Sequence, residues 1–224
     1  MRIAQLPFVK ICCIASVDEA RLAISAGASA LGLVSAMPSG PGVIADELIA
    51  EIAAVVPPPI ATFLLTSRQR AEQIIEHHLF CRTSVLQLVD RVTPEHLRAL
   101  RATLPGIKLV QVIHVTGSES VEEAQAVAPY VDALLLDSGN QALAIKELGG
   151  TGRTHDWTLS RRIRDSVHVP VFLAGGIGSR NAAKAIAAVN PFGLDLCSSV
   201  RTDGHLDASK LEAFFAAVRH GVEQ

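Results

Sequence analysis

The chain has 224 residues and a formal net charge of −2, from 20 Lys and Arg against 22 Asp and Glu. Apolar residues make up 49% of it and charged residues 19%, so the chain can bury a sizeable core and is not of the disordered class. The balanced charge and the lack of a Lys/Arg-rich run speak against nucleic-acid binding.

Short aliphatic or β-branched runs alternate with Ala-rich amphipathic stretches, which is typical of repeated βα units around a parallel sheet. The predicted strands are Phe8–Ala15, Ala30–Ser35, Ile60–Leu65, Ser84–Leu88, Lys108–Val115, Ala133–Asp137, Pro170–Ala174 and Gly193–Cys197. The predicted helices are Asp18–Ala26, Asp46–Val55, Ser67–His78, Pro94–Thr103, Ser120–Ala128, Trp157–Asp165, Ser179–Val189 and Asp207–Gly221. Ser16 with Glu19 suits a capping box, Gly27 a helix end, and Pro94 a first helical turn.

Eight strands in a chain of this length predict a compact (β/α)8 barrel, the TIM-barrel architecture. The alternative, a doubly wound sheet, would usually carry five or six strands. No Ser/Gly-rich linker marks a domain boundary, and Pro57-Pro58-Pro59 is interpreted as a stiff connection between a helix and a strand. We therefore expect residues 1–224 to form one α/β barrel domain.

Neither export nor membrane insertion is expected. The N-terminal sequence lacks a signal-peptide pattern, and no apolar run approaches the roughly 20 residues of a membrane span. The cysteines Cys12, Cys13, Cys81 and Cys197 form no CxxC pair and lie mostly in apolar segments, which is typical of reduced thiols in the cytoplasm. Adjacent Cys12 and Cys13 would point to opposite sides of a strand, so no disulfide is expected between them.

The active site of such a barrel lies at the C-terminal ends of its strands. Lys10 and Cys12 share a face near the end of strand one, where the ammonium would favour the thiolate and make Cys12 a usable base or nucleophile. The alternative is that Cys12 packs as a small hydrophobe while Lys10 reaches solvent.

Asp137 ends strand six after four aliphatic residues. Apolar surroundings favour a protonated carboxyl, which suits a general acid, and a carboxylate that starts a turn is the alternative. The long loop after it contains Gly149-Gly150-Thr151-Gly152, which is flexible enough to cover a substrate, although an ordinary solvent loop is also consistent with it.

Two loops rich in small residues follow the last two strands, with Gly175 and Gly176 in one and Ser198 and Ser199 in the other. Barrels frequently hold a phosphate in these loops through backbone N–H groups, so we expect a phosphate there, with ordinary tight turns as the alternative. The eight His residues show no ligand-spaced cluster, and His77 and His78 are interpreted as helix-surface residues. We assign no metal.

Five motifs keep their order and spacing along the chain: Val9–Cys12, Leu134–Ser138, Gly149–Gly152 with Asp156-Trp157, Ala174–Ile177 and Pro191–Asp195. Together they resemble the phosphoribosylanthranilate isomerases of tryptophan biosynthesis over nearly the whole chain. The resemblance implies a (β/α)8 barrel and an Amadori rearrangement of a small-molecule phosphosugar, without metal or organic cofactor. It also implies Cys12 as the general base, Asp137 as the general acid, and a phosphate at the ends of strands seven and eight.

The chain departs from that family at several positions. Cys13-Ile14-Ala15 stands where Gly, Leu or Ile, and Thr are usual, Val89-Asp90 where His-Gly is usual, Ser199 where glycine is usual, and Arg201 where glutamate is usual. Pro41 takes the place of the arginine that binds the anthranilate carboxylate.

A carboxylate that enters a closed site needs a cation or several donors. Arg153 and Arg201 are therefore the candidate partners of the substrate carboxylate, with solvent-exposed or loop-pairing arginines as the alternative. Two other functions stay open: the same chemistry on another phosphoribosyl-amine, and a non-catalytic phosphosugar-binding barrel. The sequence leaves the oligomeric state undetermined.

Overall fold

A computed structural model describes residues 7–139 and 154–222. Its strands are β1 (Phe8–Ile11), β2 (Ala30–Val34), β3 (Ala61–Thr66), β4 (Val85–Leu88), β5 (Lys108–His114), β6 (Ala133–Asp137), β7 (Val171–Leu173) and β8 (Gly193–Leu196). Its helices are α1 (Val17–Ala26), α2 (Asp46–Val55), α3 (Ala71–Cys81), α4 (Pro94–Thr103), α5 (Glu119–Val127), α6 (Trp157–Ser166), α7 (Ala182–Val189) and α8 (Ala208–Val222).

The strands β1 to β8 pair in chain order and close into a parallel barrel, in which Phe8 of β1 lies opposite Gly193 of β8. This closure confirms the predicted (β/α)8 barrel and excludes the doubly wound sheet, which is open. No helix among the described residues is long and apolar enough to cross a membrane.

Alternate side chains along each strand divide the buried residues into two clusters. The larger cluster lies between the barrel and its helices and includes Val9, Ile11, Leu194 and Leu196. The smaller cluster fills the barrel interior, and its members are Cys12, Cys13, Ala30, Val34, Phe63, Leu65, Val85, Val89, Val110, Val112, Ala133, Leu135, Phe172 and Ala174. By the same alternation Lys10, Gln87 and Asp195 point into the barrel, so polar groups share the interior with the smaller cluster.

The local start and stop signals act as predicted. Ser16 Oγ accepts a hydrogen bond from the Glu19 backbone N–H at 3.1 Å and caps α1. Gly27 ends that helix with a φ of 113°, a left-handed conformation that glycine adopts without a steric penalty. Pro94 is the first residue of α4.

Three predicted elements differ from the structure by three or more residues at one or both ends. β1 ends at Ile11 rather than Ala15, because Cys13 has a φ of 63° and leaves the extended conformation. Cys12 and Cys13 therefore lie beyond the strand, and the expectation that they point to opposite sides does not hold. α3 begins at Ala71 rather than Ser67 and ends at Cys81 rather than His78.

The third of these elements is α7, which begins at Ala182 rather than Ser179. The Asn181 side chain causes this difference. Its amide donates to the Gly176 carbonyl at 3.0 Å and its carbonyl accepts from the Gly178 N–H at 2.9 Å, so residues 176–181 stay in a turn.

The interpretation of His77 and His78 as surface residues was also wrong, since their exposures are 2% and 6%. α3 directs His77 toward the barrel, where Nδ1 lies 3.2 Å from Thr66 Oγ1 and Nε2 lies 3.1 Å from Asp46 Oδ1. Burial lowers the pKa of both rings, against the raising effect of Asp46 on His77.

The sequence analysis also missed a short hairpin formed by β9 (Arg201–Thr202) and β10 (His205–Leu206). Asp203 and Gly204 form its turn, with φ angles of 50° and 82°. An Asp-Gly pair is a known signal for such two-residue turns, because both positions require positive φ.

Gly193 offers a test of the barrel seam. A Cβ at this position would lie 2.7 Å from Phe172 ring carbons and from the Phe8 carbonyl oxygen, so Gly193→Ala should lower the unfolding free energy by about 1–3 kcal/mol. The matched control is Gly106→Ala, where a Cβ would meet nothing within 4 Å. Thermal and denaturant unfolding of both variants measure this, and equal stability of the two would contradict the packing described.

Candidate active site

An open cavity lies at the C-terminal ends of the barrel strands and encloses about 660 Å³, counted out to open solvent. The cavity brings together six predicted site residues: Cys12, Asp137, Gly175, Gly176, Ser198 and Ser199. Gln87 and Asp195, which the sequence analysis did not select, also line it.

Lys10 lies beneath the cavity rather than in its lining. Its side chain is fully buried, and Nζ donates to Asp195 Oδ1 at 2.8 Å. The two residues are register partners on the neighbouring strands β1 and β8. Nζ also lies 5.4 Å from the centre of the Phe63 ring, a favourable position for a cation.

Gly32 leaves the space in which Lys10 and Cys12 meet. A Cβ on Gly32 would lie 2.8 Å from Cys12 Sγ and 2.9 Å from Lys10 Nζ. Both groups therefore border the same small volume inside the barrel. The sequence prediction that they share a face agrees with this arrangement, but the alternative in which Lys10 reaches solvent does not.

The surroundings favour the Cys12 thiolate. A hydrogen bond from Cys13 lowers the pKa of Cys12, burial raises it, and the Lys10 ammonium lowers it further, so the pKa lies below the ordinary value. Lys10 thus acts in the direction that the sequence predicts. The larger contribution, from Cys13, depends on the turn after β1 and was not foreseen.

Lys10 keeps its positive charge in this ion pair. Burial alone would lower the pKa of Lys10, but the charges of Asp195 and Cys12 raise it above its ordinary value. Burial raises the pKa of Asp195, against the opposing effect of Lys10. A charged ammonium therefore lies permanently beside the Cys12 sulfur.

Asp137 is the last residue of β6 and is 8% exposed. Its Oδ1 accepts a hydrogen bond from the Ser138 N–H at 2.7 Å. His155, which the sequence analysis did not select, lies within electrostatic range: burial lowers the pKa of His155, and the Asp137 carboxylate opposes that change. Asp137 thus faces the cavity from the side of β6, whereas Cys12 does so from β1.

The loops after β7 and β8 border the cavity on its remaining side. Gly175 and Gly176 have φ angles of 79° and 63°, which glycine tolerates and which turn the backbone toward the cavity. Ser198 begins a short 3-10 turn that ends at Val200. An adjoining depression contains two cations, Arg180 and Lys210, that sequence reasoning did not select.

Arg201 does not line the cavity. Its guanidinium forms two contacts with the Glu19 carboxylate, at 2.9 and 3.0 Å, and also donates to the Gly204 carbonyl at 2.9 Å. The same group donates to the carbonyl oxygens of Cys12 and Cys13. The arginine is therefore committed to the β1–α1 loop, and the structure does not bring it to a substrate carboxylate.

The Glu19 carboxylate accepts the hydrogen bonds from Arg201. It also accepts from the N–H groups of Ala15 and Leu206, at 3.0 and 2.9 Å. Burial would raise the pKa of Glu19, but these hydrogen bonds and Arg201 lower it below its ordinary value. Arg153 and the glycines at 149–152, also named by the sequence analysis, lie outside the described residues.

Gln87 was missed although the sequence contains a signal for it. Its buried side chain is on the face of β4 that points into the barrel. Its Oε1 has no hydrogen-bond partner within the described part of the chain. A polar residue at an inward position near a strand end is a candidate for contact with a bound molecule. Asp195 has the same signal on β8.

A known protein family matches most of this chain. The family described as N-(5′-phosphoribosyl)anthranilate (PRA) isomerase matches residues 9–217. N-(5′-phosphoribosyl)anthranilate isomerase of Methanocella arvoryzae is 32% identical, over 96% of this chain and 96% of the relative.

Solved structures agree. The crystal structure of phosphoribosyl anthranilate isomerase from Thermotoga maritima has a TM-score of 0.82 at 26% identity, with 96% of this chain and 99% of that chain covered. A phosphoribosyl anthranilate isomerase solved in complex with reduced 1-(o-carboxyphenylamino)-1-deoxyribulose 5-phosphate has a TM-score of 0.79 at 24% identity, which supports the fold. It covers 96% of this chain and 99% of that chain.

The fold and these comparisons define a class, an aldose–ketose isomerase built on a (β/α)8 barrel. Within that class, the chain belongs to the N-(5′-phosphoribosyl)anthranilate isomerase family. The function of this family is an isomerisation in tryptophan biosynthesis.

The ion pair beneath Cys12 predicts opposite shifts in two variants. Lys10→Met should raise the pH at which Cys12 becomes alkylated, because a positive charge is lost, and Asp195→Asn should lower it, because a negative charge is lost. The measurement is the pH profile of iodoacetamide labelling at Cys12, read by peptide mass, with circular dichroism to confirm folding.

Lys10→Met leaves a buried carboxylate without its partner and can destabilise the fold. The double variant Lys10→Met/Asp195→Asn avoids this problem. Its labelling midpoint, compared with that of Asp195→Asn alone, isolates the effect of the ammonium. Identical midpoints in these two proteins would contradict the coupling of Lys10 to Cys12.

Proposed function

We propose that this chain converts N-(5′-phosphoribosyl)anthranilate into 1-(2-carboxyphenylamino)-1-deoxyribulose 5-phosphate, with Cys12 as general base and Asp137 as general acid. The observation that carries the proposal is their placement: both side chains line one cavity, at the ends of strands in different parts of the barrel. The lowered pKa of Cys12, caused by Cys13 and Lys10 against burial, suits a base near neutral pH.

The reaction requires one acid and one base on the same substrate. The Asp137 carboxyl gives its proton to the furanose ring oxygen as the bond between that oxygen and C1 breaks, which leaves a protonated Schiff base on the aglycone nitrogen. The Cys12 thiolate then removes the proton from C2, and the electrons neutralise the Schiff base to give an enolamine. Protonation at C1 and loss of the hydroxyl proton at C2 produce the aminoketose.

The buried ammonium contributes through Cys12. As a fixed charge in a region of low dielectric, Lys10 stabilises the thiolate without direct contact with the substrate. Lys10 is therefore a positioning and electrostatic residue rather than a substrate ligand, which refines the role that the sequence suggested.

The phosphate is assigned to the loops after β7 and β8. Gly175, Gly176, Ser198 and Ser199 line the cavity there, and left-handed glycines let backbone N–H groups approach an anion closely. A phosphosugar analogue is present in one solved relative, which supports a ligand of this kind here.

The part of the cavity assigned to the aglycone differs from the family pattern at Pro41. Pro41 lines the cavity and has neither a charge nor an N–H, and no described residue of the lining is a lysine or arginine. Because Arg201 is bound to Glu19, we assign the substrate carboxylate to Arg153. We further propose that the enzyme works in the cytoplasm as one domain over residues 1–224.

Cys12→Ala and Asp137→Asn should each reduce kcat by about 10²–10⁴-fold, the usual effect of losing a positioned acid or base. Affinity for a product analogue should change only a few-fold, because neither residue is assigned to the phosphate. Steady-state kinetics with N-(5′-phosphoribosyl)anthranilate and calorimetric titration of the analogue measure the two quantities. Near-normal kcat in either variant would remove that residue from the mechanism.

A matched pair of variants tests the phosphate loops. Asn and Asp both tolerate the left-handed backbone of Gly176 and have nearly the same shape, so Gly176→Asp and Gly176→Asn differ in one negative charge. The aspartate variant should raise KM roughly tenfold more than the asparagine variant, the equivalent of about 1.4 kcal/mol of charge repulsion. Equal KM values would place the phosphate elsewhere.

A further inference from the structure

Three thiols meet at the base of the cavity, and the isomerisation uses only one of them. Cys197 Sγ lies 2.6 Å from Cys13 Sγ. Cys13 in turn forms a hydrogen bond with the Cys12 sulfur, and its Sγ lies 3.6 Å from the Pro41 carbonyl oxygen. All three residues line the cavity, so a small molecule that enters the site reaches them.

The barrel seam sets the spacing of these residues. β1 and β8 are neighbours, with Ile11 opposite Leu196, and the Cys12 N–H donates to the Leu196 carbonyl at 2.7 Å. Neighbouring strands lie about 4.8 Å apart, which falls within the Cα separations of roughly 4.4–6.8 Å found in disulfides. The two loops thus leave neighbouring strands, and the contact between the Cys13 and Cys197 sulfurs joins them.

The sulfur positions agree with that spacing. All four cysteines of the chain are free thiols in this structure, but Cys13 and Cys197 are in much closer contact than ordinary packing. Cys13 is held there by its left-handed backbone and by the β2–α2 loop, since a Cβ on Gly42 would lie 3.0 Å from Cys13 Sγ. Formation of a bond would require little movement.

The thiols differ in reactivity. The hydrogen bond from Cys13 and the charge of Lys10 lower the pKa of Cys12 against the effect of burial. The hydrogen bonds with Cys12 and Cys197, together with burial, raise the pKa of Cys13. Because the thiolate is the form that reacts with peroxides, Cys12 is the sulfur that an oxidant in the cavity attacks first.

We propose that Cys13 and Cys197 form a reversible disulfide that returns Cys12 to a thiolate after its oxidation by a peroxide. This inference depends on the proposed function only in its activity readout, because the sulfur chemistry requires the three thiols and not the isomerisation.

The steps balance with one hydrogen peroxide. The Cys12 thiolate attacks a peroxide oxygen, the S–O bond forms, the O–O bond breaks, and hydroxide leaves. The Cys13 thiol attacks the Cys12 sulfenic acid, an S–S bond forms, and the S–O bond breaks with release of water. The Cys197 thiol attacks the Cys13 sulfur and releases the Cys12 thiolate, and the Cys197 proton joins the hydroxide as a second water.

In sum, two thiols lose one electron each and the peroxide is reduced to two waters. A dithiol reductant of the cytosolic kind then restores Cys13 and Cys197. Cys81 has no part in these steps: it is the last residue of α3 and contacts the start of α2, and burial with the charge of Asp46 raises its pKa to about 12. It serves as an internal reference.

The experiment treats the reduced full-length enzyme with one equivalent of hydrogen peroxide, followed by iodoacetamide. We expect a loss of two hydrogens in intact mass and a linked pair of peptides that contain Cys13 and Cys197. With alkylation under denaturing conditions, fragmentation should place the label on Cys12 and Cys81, and dithiothreitol added before alkylation should give four labelled thiols. Absence of the Cys13–Cys197 linkage would overturn the proposal.

Variants then test the step in which Cys197 releases the Cys12 thiolate. After one equivalent of peroxide, Cys197→Ser should stop at the Cys12–Cys13 disulfide and leave Cys12 unlabelled, because the last step is blocked, whereas the wild type should carry the label on Cys12. Cys81→Ser is the matched control and should behave like the wild type. Activity before dithiothreitol, divided by each protein's own reduced activity, should be roughly fivefold or more lower in Cys197→Ser than in the wild type, because its Cys12 is blocked.

A free, labelled Cys12 in peroxide-treated Cys197→Ser would contradict the proposal. Cys197→Ala replaces Cys197→Ser if the serine variant fails to fold, as judged by circular dichroism. The mass measurements hold even if Cys12 is not the catalytic base. Conversely, failure to form the disulfide would leave the kinetic test of Cys12→Ala unaffected, so the two proposals fail separately.

Discussion

The buried ion pair between Lys10 and Asp195 is the contact on which the rest of this site depends. It joins the first and last strands of the barrel at register partners, with Lys10 fully buried and Asp195 nearly so. Charges in such a place are costly unless paired, so the pair restricts how β1 can lie against β8. The same geometry holds an ammonium beside the Cys12 sulfur, and thus the closure of the fold and the ionisation of the proposed base depend on one interaction.

A second ion pair secures the same seam from the outside. Arg201 and Glu19 connect the hairpin after β8 with the loop and helix after β1, and the guanidinium also binds the carbonyl oxygens of Cys12 and Cys13. The short segment that contains both cysteines is thereby fixed between an internal and an external pair. Such fixation is useful for a base, because a small displacement from the reacting atom greatly reduces its effect.

The sequence predicted those parts of the structure that depend on local pattern. Eight alternations of apolar strand and amphipathic helix were sufficient for the barrel, and the rule that strand ends form the site was sufficient for Cys12 and Asp137. The orientation of His77 and the partner of Arg201 could not be predicted in this way. Both depend on which distant segments come into contact, and a helix pattern of modest amphipathicity does not determine that.

Other features were missed although a local signal existed. The Asp203-Gly204 turn marks the hairpin that contains Arg201, and Gln87 interrupts an apolar strand at an inward position. The contact between Cys13 and Cys197 belongs to the unpredictable group, because it requires both the closure of the barrel and the positive φ of Cys13. The physical reason is the same in each case: sequence patterns report burial and period, whereas sites are assembled across strands.

The pairing of Arg201 with Glu19 has a consequence for how such sequences diverge. By the family resemblance described above, glutamate is expected at the position of Arg201, and beside Glu19 it would place two carboxylates at the distance now occupied by an ion pair. Like charges at such short range repel strongly when partly buried. A change of sign at one position is thus tolerated only after or together with a change at the other. The two positions should therefore form a co-varying pair across the family, with opposite charges exchanged between them.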